Sequence, residues 1–124
     1  MARNLAVWLL PLALCLGAAA ALPGSAVAEQ CDGKATPCPL QKWMRANVGV
    51  PMSSGDMPAL AKAMEQARPF GGPGMKDWDR MSKKTADDAA ANKTEDVKND
   101  CKACHDAYKD AYKKDPALRG KPIP

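Results

Sequence analysis

The amino-acid sequence predicts an all-α fold, an antiparallel four-helix bundle in a single domain. Three observations predict it. β-branched residues are sparse and no run alternates apolar with polar residues, so a strand has no pattern to build on. Four stretches instead repeat apolar residues at helical spacing, each bounded by a cap, a glycine or a proline. The connections between them are short, which favours antiparallel neighbours.

The first helix starts after Pro39 and puts Leu40, Trp43, Met44 and Val48 on one side. Gly49 and Pro51 then break or kink it, because proline lacks the N–H that the next turn needs. The second opens on Asp56 as N-cap, with Met57, Leu60, Ala61, Met64 and Ala67 on one face. It ends before Pro69, and Phe70-Gly71-Gly72-Pro73-Gly74 forms a turn-rich connection. The third begins near Met75, carries Trp78 and Met81, and continues as an alanine-rich run to Asn92. The fourth takes Thr94 as N-cap, with Glu95 and Asp96 in the first turn, where the helix dipole favours acids. Val97, Cys101, Cys104, Tyr108, Ala111 and Tyr112 form its buried face, and it stops before Pro116. The organisation expected is residues 1–28 as a signal peptide, 29–39 as an N-terminal segment, 40–115 as the helical domain and 116–124 as a flexible tail. There is no internal repeat.

Arg3 and the amino terminus give the first segment a positive start. An apolar run follows from Leu5 to Leu22, and Ala26-Val27-Ala28 is a small-x-small cleavage site. An uncleaved anchor is the competing reading, since the run is nearly long enough to span a bilayer. The cleavage site and the turn at Pro23-Gly24-Ser25 favour removal, and so export to the periplasm with no lasting membrane insertion. Cleavage leaves 96 residues, with 17 Lys and Arg against 14 Asp and Glu. Charges of both signs are interleaved, as on a solvated helical surface, which is not the pattern of a nucleic-acid binder. Large apolar side chains are few: Trp43, Phe70, Trp78, Tyr108 and Tyr112 are the aromatics of the cleaved chain. A domain so poor in core material is marginal without additional apolar mass.

Cys101-Lys102-Ala103-Cys104-His105 is a C-x-x-C-H motif, placed 19 residues before the last residue. This spacing is read as a c-type haem attachment site. The thiols of Cys101 and Cys104 add to the haem vinyl groups, and His105 supplies the proximal iron ligand. At helical spacing all three side chains project from one face. One covalent haem would also supply the missing core. The competing readings are a redox dithiol and a zinc site. A thioredoxin-like dithiol requires a βαβ context, which is absent. Zinc would need to recruit Cys31 and Cys38, whose spacing is wider than that of the usual zinc pairs. In an exported protein those two cysteines are expected to form a disulfide. Closing that small loop stabilises by about 2.5 kcal/mol in the chain-entropy account.

His105 is the only histidine in the chain, so a second histidine ligand would have to come from another molecule. No methionine, histidine or cysteine follows it. A methionine ligand must therefore lie upstream, at Met44, Met52, Met57, Met64, Met75 or Met81. Met44 sits on the apolar side of the first helix, where methionine is also an ordinary core residue. Lys98, Lys102, Lys109, Lys113 and Lys114 make the outer face of the fourth helix basic, a solvated face that would also steer an acidic redox partner.

The segment Cys101-Lys-Ala-Cys-His-Asp-Ala-Tyr108-Lys109 resembles the haem helix of the class II cytochromes c, the cytochrome c-prime family. Lys42-Trp43-Met44-Arg45-Ala46-Asn47, with its exit through Met52 to Gly55-Asp56, is similar to that family's distal helix, and Trp78 also fits. The resemblance implies a four-helix bundle with haem near one end. It also implies one of two branches: a five-coordinate iron that binds nitric oxide or carbon monoxide, or an iron that takes a methionine from the first helix, here Met44. Homodimers formed through the first two helices are common in the family. The chain departs from the pattern in the short polar third helix, the Gly49 and Pro51 interruption, Lys109 where arginine is common, and the extra Cys31 and Cys38. The function expected is single-electron transfer with redox partner proteins, without enzymatic turnover. The alternative is gas binding, and a zinc- and disulfide-stapled interaction module is a remoter one.

Overall fold

Pro39 opens the first helix at the position where a missing N–H costs nothing. The computed structural model describes residues 31–124, so the expected signal peptide, residues 1–28, lies outside the described residues. Gln41 organises the start. Its Oε1 accepts from the Cys38 N–H at 2.9 Å, and its Nε2 donates to the Gly33 carbonyl at 3.4 Å. Cys31 and Cys38 are joined by a disulfide immediately before the helix.

Helix α1 covers Pro39–Met44 and α2 covers Val50–Ser54; of the break or kink expected at Gly49 and Pro51, the break does not occur. A wide π turn, Arg45–Gly49, joins them into one continuous helix, with the Val50 N–H bonded to the Arg45 carbonyl. The reason is Pro51, whose ring cannot sit over the carbonyl four residues back in an ordinary turn. Within the wide turn the Asn47 side-chain amide donates to the Trp43 carbonyl at 2.9 Å. The geometric consequence is larger than the defect. At about 100° per residue, a plain α-helix would carry Met52 about 120° around from Leu40. One extra residue absorbed in the π turn removes about 100° of that. Leu40, Met44, Val48 and Met52 consequently share one side. Gly55, with φ +76°, closes α2 in the left-handed conformation open to glycine.

Helix α3 is Met57–Ala67, and the Asp56 carboxylate caps it by accepting from the Ala59 N–H at 3.0 Å. Met57, Leu60, Ala63, Met64 and Ala67 are buried, close to the expected face. A single 3-10 turn, Arg68–Phe70, carries Pro69 out of the helix. Helix α4 is Trp78–Ala90, later to start and earlier to stop than the sequence pattern indicated, and Asn92 beyond it adopts φ 57°. Met75 is therefore a buried loop residue, not a helical one. Helix α5 is Thr94–Lys114, with Glu95 and Asp96 in its first turn. Thr94 is its first helical residue and Lys93 precedes it without a side-chain cap. Val97 is buried and Ala111, expected on the inner face, is exposed.

The segment expected to be a flexible tail includes a short helix, α6, Pro116–Arg119. Asp115 caps it, Leu118 is buried, and Lys121 Nζ donates to the Phe70 and Gly71 carbonyls at 3.1 and 2.8 Å. Gly72 makes this docking possible, since a Cβ there would collide with Leu118 Cδ2.

Helix α4 lies between α3 and α5 and packs on both, while the first helix leans on α3. Leu60, Met64, Ala86, Ala89 and Val97 pack together at one end of the core. Ala67, Phe70, Met75, Trp78 and Leu118 fill the other. Trp78 Nε1 donates to the Ala67 carbonyl at 2.8 Å, so its indole is buried with its polar atom satisfied. Trp43 meets Phe70 edge to face with ring centroids 4.8 Å apart. The described residues are all-helical, with no strand among them. No described helix is long and apolar enough to cross a membrane.

Candidate functional site

The first helix approaches α3 closely and leaves a cleft of about 500 Å³ between itself and α5. That is the size of a small-molecule or cofactor site. Leu40, Met44, Val48 and Met52 form one wall, and Cys101, Cys104, His105 and Tyr108 form the other. Met64, Met75, Trp78 and Thr85 line it from α3, α4 and the loop between them. Its surface is mainly apolar, with the cations Arg45, Lys109 and Lys113 also lining it.

All four residues singled out from the sequence line this cleft. Cys101 and Cys104 are half-buried free thiols one turn apart on α5. His105 is more exposed, and Met44 lines the cleft from the first helix. Tyr108 fixes the lower part of α5: its hydroxyl accepts from the Asp77 N–H at 3.0 Å and its ring lies 6.0 Å from that of Trp78. Of the six upstream methionines, Met44, Met52, Met64 and Met75 line the cleft, whereas Met57 and Met81 do not. Met52 was not distinguishable from the sequence, because its direction depends on the π turn. Arg45 was also missed as a cleft residue; it sits one place after Met44 at the start of the same turn. Trp43, grouped with Met44 by spacing, packs against Phe70.

Burial pushes the Cys101 thiol up, and the charge of Asp100 adds to the effect. Burial pushes Cys104 up to about 11, with Cys101 and Asp100 contributing further. A reactive dithiol needs the opposite shift, since the thiolate is the nucleophile. A zinc site is not assembled either: no three His, Cys, Asp or Glu side chains converge among the described residues. Cys31 and Cys38 are committed to each other. The donors present do match haem. Two adjacent thiols for attachment, an imidazole beside them and soft thioether sulfurs opposite surround a cleft of suitable size.

The fold and site define an all-α protein with a sulfur-rich apolar cleft between its first helix and α5. Comparison with family models, curated proteins and solved structures returned no match.

Proposed function

We propose that the chain is an exported c-type cytochrome that transfers single electrons and is built as a four-helix bundle of the class II kind. The observation carrying this reading is that Cys101, Cys104 and His105 line one side of a 500 Å³ apolar cleft that separates α5 from the first helix. Haem, when bound, supplies a one-electron ferric–ferrous couple.

The chain's residues then have distinct tasks. Cys101 and Cys104 would hold the cofactor covalently, and His105 would supply an iron ligand. Met44 would be the second ligand, and a thioether in that role would favour the ferrous state relative to harder ligands. Arg45, Lys109 and Lys113 provide positive charge for the two haem carboxylates. Leu40, Val48 and Trp78 keep water out of the cleft. The bundle needs no moving part, because electron transfer requires little rearrangement of a packed site.

The second reading is a five-coordinate iron open to nitric oxide or carbon monoxide. It is favoured by the mainly apolar lining of the cleft beside Met44, where Leu40 and Val48 offer iron no donor. Carbon monoxide separates the two. A large change in the ferrous spectrum on addition marks an open site; low-spin bands that barely change mark methionine ligation. Haem stain on a denaturing gel tests both readings, and a stain-negative exported protein would refute them together.

A further inference from the structure

Asp100 precedes the motif on α5, with its side chain only 13% exposed. Lys84 of α4 reaches across and donates to Asp100 Oδ1 at 2.6 Å. The same ammonium donates to Asp88 Oδ2 at 2.7 Å, and Asp88 Oδ1 accepts from Lys93 at 3.3 Å. Among the described residues Asp100 Oδ2 is one of the few buried side-chain oxygens without a hydrogen-bond partner. A carboxylate removed from water is costly unless its oxygens are satisfied, and here one is not. Two adjacent positions, Asn99 and Lys98, show that this part of α5 also has exposed surface on which a charge would be fully hydrated.

Asp100 does not line the cleft, so it neither attaches nor ligates. Its field nevertheless reaches the site. Asp100 directly precedes Cys101 and stands four residues before Cys104 on α5, so its carboxylate lies within about one turn of both cleft-lining cysteines. The same field acts on any charge that changes at the cofactor bound to those sulfurs. A fixed negative charge in a poorly hydrated place stabilises ferric iron over ferrous, because the ferric state is the more positive.

We propose that Asp100, held in place by Lys84, lowers the reduction potential of the haem bound at Cys101, Cys104 and His105. This rests on the haem reading above. Lys84 has the opposite sign and opposes the effect while fixing its position. The carboxylate is a positioning residue for charge, with no contact to the iron.

The test is a potentiometric titration of the intact holoprotein, followed by absorbance, for the wild type, Asp100→Asn and Lys84→Gln. Asp100→Asn should raise the ratio of reduced to oxidised protein at fixed ambient potential by about tenfold, which is 59 mV for one electron. Lys84→Gln should move the potential the other way. The Asp100→Asn shift should persist at about 1 M salt, where exposed charges are screened. Opposite signs are the decisive feature, because a purely structural role would disturb both variants in one direction. An unmoved or lowered potential in Asp100→Asn, or shifts of the same sign, overturns the proposal. Should Asp100→Asn not fold, Lys84→Gln decides alone, and a raised or unchanged potential is the contrary result. Haem stain separates the failures: an unstained wild type defeats the haem reading and this inference with it, whereas stained variants with unmoved potentials defeat only the inference.

Discussion

Four methionines line the cleft, and the sequence alone distinguished them poorly. Spacing could place Met44 on an apolar face, but it gave no reason to separate Met57, which is core, from Met52, which lines the cleft. Substitution separates their roles. Met44→Ala is expected to convert a low-spin ferric spectrum to high-spin and open the ferrous iron to carbon monoxide. Met52→Ala, Met64→Ala and Met75→Ala should keep the low-spin bands and lose stability instead, by about 2–5 kcal/mol where the side chain is buried. The thiols give a second residue-level prediction, on the haem-free chain. Cys104, held up to about 11 by burial, should be alkylated slowly at pH 8 and faster as pH rises toward that value. The sign for stability follows. The folded state favours the protonated thiol, so this contribution is complete below the ordinary cysteine value of 9.0 and is lost as pH rises through about 11. Fast alkylation at neutral pH would contradict the buried placement.

At the scale of elements, the helices of the described chain were readable because their punctuation is local. Asp56 as a cap, Pro69 as a stop and the acids at the start of α5 each act within one turn. What could not be read was the first helix. Gly49 and Pro51 look like a terminator by any local rule, and only packing against α3 favours keeping the helix going through a π turn. The candidate site inherits this: α5 could be read as a face, but the opposite wall depended on how the helix accommodates Pro51, which local rules read as a stop. Removing the extra residue tests the geometry. Deleting Gly49 together with Pro51→Ala should yield a regular helix with Met44 and Met52 still facing the cleft. Urea unfolding should then stay within about 1.5 kcal/mol of the wild type. A loss of all cooperative unfolding would contradict the geometric account. The C-terminal strap was missed for another reason. Leu118, Lys121 and Ile123 are too dispersed to form a pattern, and their partners are Phe70, Gly71 and Met75, far away in sequence. Gly72→Ala should undock it through the collision with Leu118, costing about 1–3 kcal/mol by chemical denaturation.

For the whole molecule, the scarcity of large side chains and the size of the cleft describe the same fact. The core divides into two packed ends, and the cleft lies between α5 and the first helix. A cofactor that fills the gap contributes to folding as well as to function, since a ligand bound only to the native state stabilises it. The disulfide anchors the N-terminal segment from the other direction. Its removal by Cys31→Ser and Cys38→Ser should cost about 2.5 kcal/mol. The most direct measurement of the central claim is the intact mass of the protein, produced in a host that attaches haem to cytochromes and analysed under denaturing conditions. The account predicts a mass increased by one haem, retained in denaturant and lost in Cys101→Ala/Cys104→Ala. An unmodified mass with both thiols free would contradict it.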